Sequence, residues 1–275
     1  MSKRAILVAG CGGRMGRALL REIIRAPGVD LAGGFDRPEH PAIGTDLGAL
    51  AGLERTGLQA ETSFDAALKH AAAVIDFTAP EASLGIARAA ADARVALILG
   101  TTGFSPDEER EIDLLAKKIP IVRSGNFSLG VNLLAALVEE AARRLSDDYD
   151  IEILETHHRD KVDAPSGTAL MLGRAAAAGR GVALEARSVR TRDGRTGPRK
   201  AGDIGFAVLR GGGVVGEHQV MFAAADELLT LSHTALDRAL FAKGAVAAAR
   251  YAIGRKPGRY SMRDVLGLTG TREQG

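Results

Sequence analysis

The chain of 275 residues contains no tryptophan, a single cysteine and only 4% aromatic residues. Exposed rings build the stacking platforms that hold single-stranded nucleic acid, so that class is excluded. A lone Cys11 forms no intramolecular disulfide and supports no multi-cysteine zinc site. Stability then has to come from packing, which suits a reducing cytoplasm. Net charge is almost absent as well, since 36 Lys and Arg face 34 Asp and Glu for a balance of +2. No nucleic-acid or anionic-membrane partner is expected on that balance, and any anion site is local. Long apolar runs are also missing. Residues 5–10, after the charged start, imitate a signal peptide, but the run is too short and Arg14 and Arg17 follow at once. No later stretch reaches the ~18 apolar residues of a membrane span, so a soluble, cytoplasmic protein is expected.

What is present is an ordinary apolar fraction of 46% with 25% charged residues, which argues against disorder. The length permits one large domain or two smaller ones with real cores. Glycine is abundant, at 34 residues against nine prolines, and its positions carry information. The apolar run Ala5–Ala9 enters a cluster at Gly10, Gly12, Gly13 and Gly16, then a helical pattern through Leu19, Leu20, Ile23 and Ile24. Further apolar strands are expected at 29–35, 72–77, 95–99 and 119–122, with helices over 64–70, 80–93 and 106–118. Wholly apolar strands alternating with helices indicate a parallel sheet covered on both faces. After Ser128 the pattern changes to a long helix reaching Leu145, a strand over 151–156 and a helix over 167–178. Strand-like stretches at 205–210, 214–223 and 228–233, joined by glycine or Asp-Glu turns, suggest an antiparallel sheet. A final helix over 238–253 and the tail at 262–266 fit either domain.

The glycine loop departs from the strict G-x-G-x-x-G spacing, because Met15 stands where the third glycine belongs. The frame Gly10-x-x-Gly13-x-x-Gly16 fits instead. Glycines there permit a tight turn and close approach of a pyrophosphate, while the helix N-terminus supplies free N–H groups. Asp36 lies 20 positions after Gly16 at the end of the second expected strand, where an acid bonds an adenosine ribose. Arg37 beside it would attract a 2′-phosphate that Asp36 repels, which makes dual cofactor use plausible; a solvated surface charge is the other reading. Nothing orients Cys11 as a nucleophile, so it is read as a small loop-filler. The loops Gly100-Thr101-Thr102-Gly103 and Gly125-Asn126-Phe127-Ser128 also follow expected strands. By chemistry alone, cofactor contact and ordinary turn are equally open for both.

The densest chemistry lies between Glu155 and Thr168, where His157, His158, Arg159 and Lys161 precede Pro165-Ser166-Gly167-Thr168. Imidazoles titrate near neutrality and the cations favour an anion, so the segment can supply proton transfer and carboxylate binding without a metal. The Ser-Gly-Thr start of the following helix is a second anion site. Two competing readings are a metal site from His157, His158, Asp160 and Asp163, and a polar surface loop with a helix cap. Against the metal, adjacent residues on an extended strand point to opposite faces. His40, His70, His218 and His233 look structural or exposed, although Gly216-Glu217-His218 lies on an expected sheet and could line a site.

Together these motifs resemble the 4-hydroxy-tetrahydrodipicolinate reductase (dihydrodipicolinate reductase) family over nearly the whole chain. The resemblance rests on the glycine loop, Ile75-Asp76-Phe77, Gly100 to Phe104, Asn126 to Asn132, Glu155 to Thr168, Gly216-Glu217-His218 and Met262 to Leu266. It implies an α/β fold class: a Rossmann-type parallel-sheet domain plus a mixed α+β domain with a largely antiparallel sheet. The first would comprise residues 1–128 and 239–275, and the second, residues 129–238, would bind substrate and build a homotetramer. The cofactor, NADH or NADPH, would be held by Gly10, Cys11, Gly12, Gly13, Arg14, Met15, Asp36, Arg37, Gly100, Thr101, Thr102, Gly125, Asn126, Phe127 and Ser128. His157 would be the catalytic acid/base and Lys161 the proton donor. His158, Ser166, Gly167 and Thr168 would hold the carboxylates of a small cyclic dicarboxylate. The implied reaction, in the diaminopimelate route to lysine, is loss of the 4-hydroxyl, hydride delivery to C4 of the conjugated imine and protonation at C3. Asp36 stands where many members have Glu, which keeps the ribose contact but shortens its reach.

Two other classes compete. A catalytically silent nucleotide sensor on this fold would be expected to lose His157 or Lys161, and both are present. A semialdehyde dehydrogenase would need a nucleophilic cysteine in its second domain, but the only cysteine is in the glycine loop.

Overall fold

The computed structural model describes residues 4–269. The chain divides into two compact units, one up to Leu129 and again from Ala239 onward, the other Gly130–Arg238. The first unit opens with β1 (Ala5–Ala9), α1 (Arg14–Arg25), β2 (Asp30–Phe35), α2 (Leu47–Leu50), β3 (Ala60–Glu61) and α3 (Asp65–Leu68). It continues with β4 (Ala73–Asp76), α4 (Pro80–Ala93), β5 (Ala96–Leu99), α5 (Pro106–Ala116) and β6 (Pro120–Arg123). Strands β1, β4 and β5 are buried at every position, as a parallel sheet with helices on both faces requires. Helix starts follow local chemistry. Pro106 opens α5 behind Ser105, whose hydroxyl accepts the Glu108 N–H while the Glu108 carboxylate accepts the Ser105 N–H. The helix expected over 64–70 is confined to α3, since the chain turns at Lys69.

The second unit contains most of α6 (Leu129–Arg144), then β7 (Asp150–His157), α7 (Gly167–Gly179), α8 (Leu184–Arg187), β8 (Ser188–Val189), β9 (Ile204–Arg210), β10 (Gly216–Ala223) and β11 (Leu228–Ala235). Its five-stranded sheet has the order β11-β10-β7-β9-β8. Strand β10 runs antiparallel to both β7 and β11, whereas β9 runs parallel to β7 and β8. The parallel half follows from connectivity: the chain crosses through α7 and α8 before it re-enters the sheet, and such a crossover returns a strand in the same direction. Buried and half-buried residues alternate along β7, placing Ile151, Ile153, Glu155 and His157 on one face. That face packs on α7 through Ala169, Leu172, Ala176 and Ala177 in a shared core with Val220 and Phe222 of β10.

The chain then returns to the first unit with α9 (Ala239–Ala252), β12 (Gly258–Tyr260) and α10 (Met262–Val265). Strand β12 joins β6, completing a parallel sheet of order β12-β6-β5-β4-β1-β2-β3. Helix α9 approaches closely because its inward face is alanine and glycine. A β-carbon at Gly244 would lie only 1.6 Å from the Phe127 carbonyl oxygen. The strand order reverses between β1 and β4, and ligands of such sheets bind at the carboxyl ends beside that reversal. No described helix is long and apolar enough to cross a membrane.

Candidate functional site

In the first unit the reversal point opens a cleft of about 670 Å³, with Gly10, Gly13, Asp36, Arg37, His40 and Thr78 on its wall. Gly10 has φ +64, a left-handed conformation that glycine adopts without strain. Gly16 lets α1 close onto the loop, since a β-carbon there would meet the Gly10 carbonyl oxygen at 2.1 Å. Gly13 caps α1 without any side-chain hydrogen bond, so the first turn keeps N–H groups for an anion. Asp36, just after β2, accepts the Gly12 N–H at 2.9 Å through Oδ2 and the Arg37 N–H at 2.9 Å through Oδ1. These features fit a dinucleotide. Cys11, by contrast, is fully buried against Gly34, and burial first, then Asp36, pushes its thiol pKa up to about 12. Only its backbone can serve a ligand. Arg14 and Met15 form the first residues of α1.

The two later loops are ordered by side chains. A β-carbon at Gly100 would strike the Phe77 ring at 2.2 Å. Thr101 is buried, where its hydroxyl accepts from Ser83 at 2.8 Å and its carbonyl accepts from Arg123 at 2.6 Å. Thr102 and Gly125 are exposed. Asn126 shapes its turn by accepting the Ser128 N–H at 2.8 Å through its side chain. Phe127 is buried, edge-on to Phe77, so its ring belongs to the core. Asp76 is a residue for which sequence reasoning found no role. It is fully buried, and burial pushes its carboxyl pKa up against the Ser83 and Thr78 hydrogen bonds. One oxygen accepts from the Thr78 N–H and hydroxyl, and Oδ2 has no partner. The signal was present as an acid closing an otherwise apolar strand.

In the second unit the His-His-Lys segment is built on the end of β7. The His157 Nδ1–H points at Glu155 Oε2, and Glu155 Oε1 accepts the Ser166 N–H at 2.8 Å. Arg210, the last residue of β9, grips both Glu155 oxygens at 3.0 Å. His218 of β10 lies opposite Glu155 in the ladder, and its Nε2 is 3.1 Å from Ser166 Oγ. The His157 and His218 rings meet edge-on, with centroids 5.1 Å apart. Ser166 also caps α7, its hydroxyl accepting the Ala169 N–H at 3.1 Å. Beside it, Gly167 is exposed and Thr168 is half-buried at the start of the helix. Lys161 donates to Asp163 at 2.7 Å, and His158 Nε2 lies 3.2 Å from Arg238.

The electrostatics follow from this packing. Burial alone would raise the Glu155 carboxyl, but Arg210, the Ser166 N–H and His157 outweigh it and hold it below the usual carboxylate range. Burial lowers the His157 imidazole; Glu155 opposes that, and Lys161 and Arg210 add to it, leaving a net lowering. His218 is pushed down to about 4, by burial first and by the neighbouring His157 second. Among the described residues, one trio of ligand-type side chains converges: Glu155, His157 and His218, with ligand atoms within 4.8 Å of one another. It differs from the set weighed in the sequence. Because Arg210 occupies both Glu155 oxygens, the carboxylate is already neutralised by a cation, and the arrangement is that of a hydrogen-bonded relay. Arg210 ends β9, 47 residues downstream of Asp163, and Arg238 lies in the turn just before α9, so no local sequence pattern joins either to the segment.

Residues 4–127 match the family model described as dihydrodipicolinate reductase, N-terminus, and residues 130–266 match that described as dihydrodipicolinate reductase, C-terminus. The chain belongs to the dihydrodipicolinate reductase family. Its relatives in this reductase family include the 4-hydroxy-tetrahydrodipicolinate reductase of Parvibaculum lavamentivorans, 57% identical over 96% of this chain and 97% of that one. The enzyme of the same name from Methylocella silvestris is 54% identical over 98% of each chain. A solved structure, dipicolinate-bound dihydrodipicolinate reductase from Paenisporosarcina sp. TG-14, is 20% identical, with a TM-score of 0.76 over 95% of this chain and 98% of that one. At that identity the likeness establishes the shared fold: a Rossmann-type sheet domain with a second, mixed-sheet domain. The family that the motifs resemble is the family the whole chain matches.

Proposed function

We propose that the chain is a 4-hydroxy-tetrahydrodipicolinate reductase, an NAD(P)H-dependent oxidoreductase of the diaminopimelate route to lysine. The observation that carries this reading beyond family membership is one constellation: an imidazole backed by a carboxylate, an ammonium four residues on, and a helix N-terminus, all from residues 155–168. A cyclic dicarboxylate needs cationic and hydrogen-bond-donating partners: His158, Lys161 and the Gly167 and Thr168 N–H groups would serve, with Ser166, whose N–H is taken by Glu155, offering its hydroxyl. A nicotinamide cofactor, when bound, would supply the hydride for C4 of the conjugated imine. Hydride addition generates an enamine, a carbon base whose C3 requires a positioned proton. Lys161 delivers that proton, and His157, neutral at rest because of its lowered pKa, acts as acid/base for loss of the 4-hydroxyl and for recharging the site. The glycine loop and the start of α1 would hold the pyrophosphate and Asp36 and Arg37 the adenosine ribose, an acid beside a cation that supports use of both NADH and NADPH.

The compartment in this reading is the cytoplasm, and the assembly is a homotetramer. Register with Thr156 and Ala223 places Leu209 and Leu228, 53% and 65% exposed, on the sheet face turned away from α7, and that face would meet a copy of itself. The test is substitution. His157→Ala or Lys161→Ala lowers kcat by about a hundredfold or more while NADH still binds, the effect of removing a positioned acid–base group. Near-normal turnover in both variants would remove the roles assigned here.

A further inference from the structure

Glu155 is given no contact with substrate or cofactor in the scheme above, yet its side chain is completely buried and every acceptor position is filled. Oε1 takes the Ser166 N–H and one Arg210 nitrogen; Oε2 takes the other Arg210 nitrogen and His157. A carboxylate that accepts four donors is ionised, so the proton on its imidazole neighbour sits on Nδ1. His157 is thereby fixed as the tautomer whose Nε2 holds a free lone pair. That nitrogen faces Gly216, where a β-carbon would lie 3.0 Å away, so glycine keeps space beside the working atom. Arg210 is pinned in turn: it donates to the backbone carbonyls of Leu209 and Asp163, at 2.7 Å each. Burying a lone carboxylate is costly, and a two-pronged guanidinium offsets that cost while fixing its plane.

We propose that Glu155, clamped by Arg210 and the Ser166 N–H, is the positioning residue of the reaction: it sets the His157 tautomer and stabilises the imidazolium each time His157 carries a proton. The inference rests on the acid/base role proposed for His157. The charged and titratable groups around that ring are Glu155 on β7, Lys161 and Asp163 in the following segment, Arg210 on β9 and His218 on β10. Of these, Glu155 is the anion in direct contact, and it raises the imidazole against burial, Lys161 and Arg210. Removing its charge therefore lowers the His157 pKa.

The experiment compares wild type with Glu155→Gln, Arg210→Lys and His157→Ala in the full-length protein, by steady-state kinetics over pH and by NMR titration of the His157 ring. Glu155→Gln is expected to lower kcat by about a hundredfold or more, in the range of acid–base effects, with cofactor binding unchanged. The His157 titration moves to lower pH in the same variant, a shift that loss of packing alone would not direct. Arg210→Lys keeps the charge but loses the two-pronged grip, and gives a smaller fall in kcat; it carries the test if Glu155→Gln does not fold. Unchanged kcat and an unmoved His157 titration in Glu155→Gln, or unchanged kcat in Arg210→Lys where only that variant folds, would overturn the proposal. If His157→Ala itself turns over normally, the failure lies in the role of His157; if only that variant is inactive, it lies in the positioning.

Discussion

His218 couples the stability of the second unit to pH. The ring is 5% exposed, between Ser166, Glu155 and His157, and its pKa is held at about 4 against an ordinary 6.5. A histidine kept neutral in the folded state is protonated first in the unfolded chain. Its contribution is therefore fully present above about pH 6.5 and drains away as the pH falls toward 4. Integrating that difference between about pH 7 and about pH 5 gives a loss of ~2 kcal/mol, with the remainder lost as the pH falls through about 4. The carboxylates held below their usual range, Glu155 and Glu152 among them, contribute mainly below this window. The assay is urea unfolding followed by circular dichroism at the two pH values, for wild type and His218→Gln. The wild type should lose about 2 kcal/mol more than the variant over the interval. Equal losses in the two proteins would refute the reasoning, because the titrating group would then not be this ring.

Two further substitutions test the first unit. Gly244→Ala gains up to ~1 kcal/mol of helix propensity but drives a β-carbon into the Phe127 carbonyl, an overpacking worth ~1–3 kcal/mol or more. A lower urea midpoint and a raised cofactor KM are expected, because the turn at residues 124–128 is displaced; an unchanged or higher midpoint would contradict the close approach of α9. If Asp36 faces the ribose as proposed, Asp36→Asn removes the negative charge that would oppose a 2′-phosphate beside Arg37. It should move the NADPH to NADH ratio of kcat/KM upward by about tenfold, equivalent to ~1.4 kcal/mol. A fall in that ratio would place Asp36 away from the ribose.

Much of the fold was legible where the signal is local. Strands β1, β4 and β5 are continuous apolar runs between glycines and helical patterns, so their burial on both faces could be read directly. Strands β3, β8 and β12 have two or three residues and carry no periodicity, and only their pairing reveals them. Strand direction was equally silent: β9 alternates like its neighbours, and its parallel run beside β7 depends on the crossover through α7. The same divide holds at the site. His157, Lys161 and Ser166 could be found because they share one short segment. Arg210 drew no reading and His218 only the reading that it could line a site, because ladder register alone brings residues 55 and 63 positions from Glu155 against that carboxylate. Asp76 was visible as an acid in an apolar run, but its unpartnered oxygen is a property of packing.

Reduction of the cyclic imine by this chain is read by following nicotinamide absorbance with enzymatically generated 4-hydroxy-tetrahydrodipicolinate, using NADH and NADPH in parallel. Substrate-dependent oxidation of both cofactors is expected, slowed by about a hundredfold or more in His157→Ala. No oxidation of either cofactor by the folded wild-type protein would contradict it.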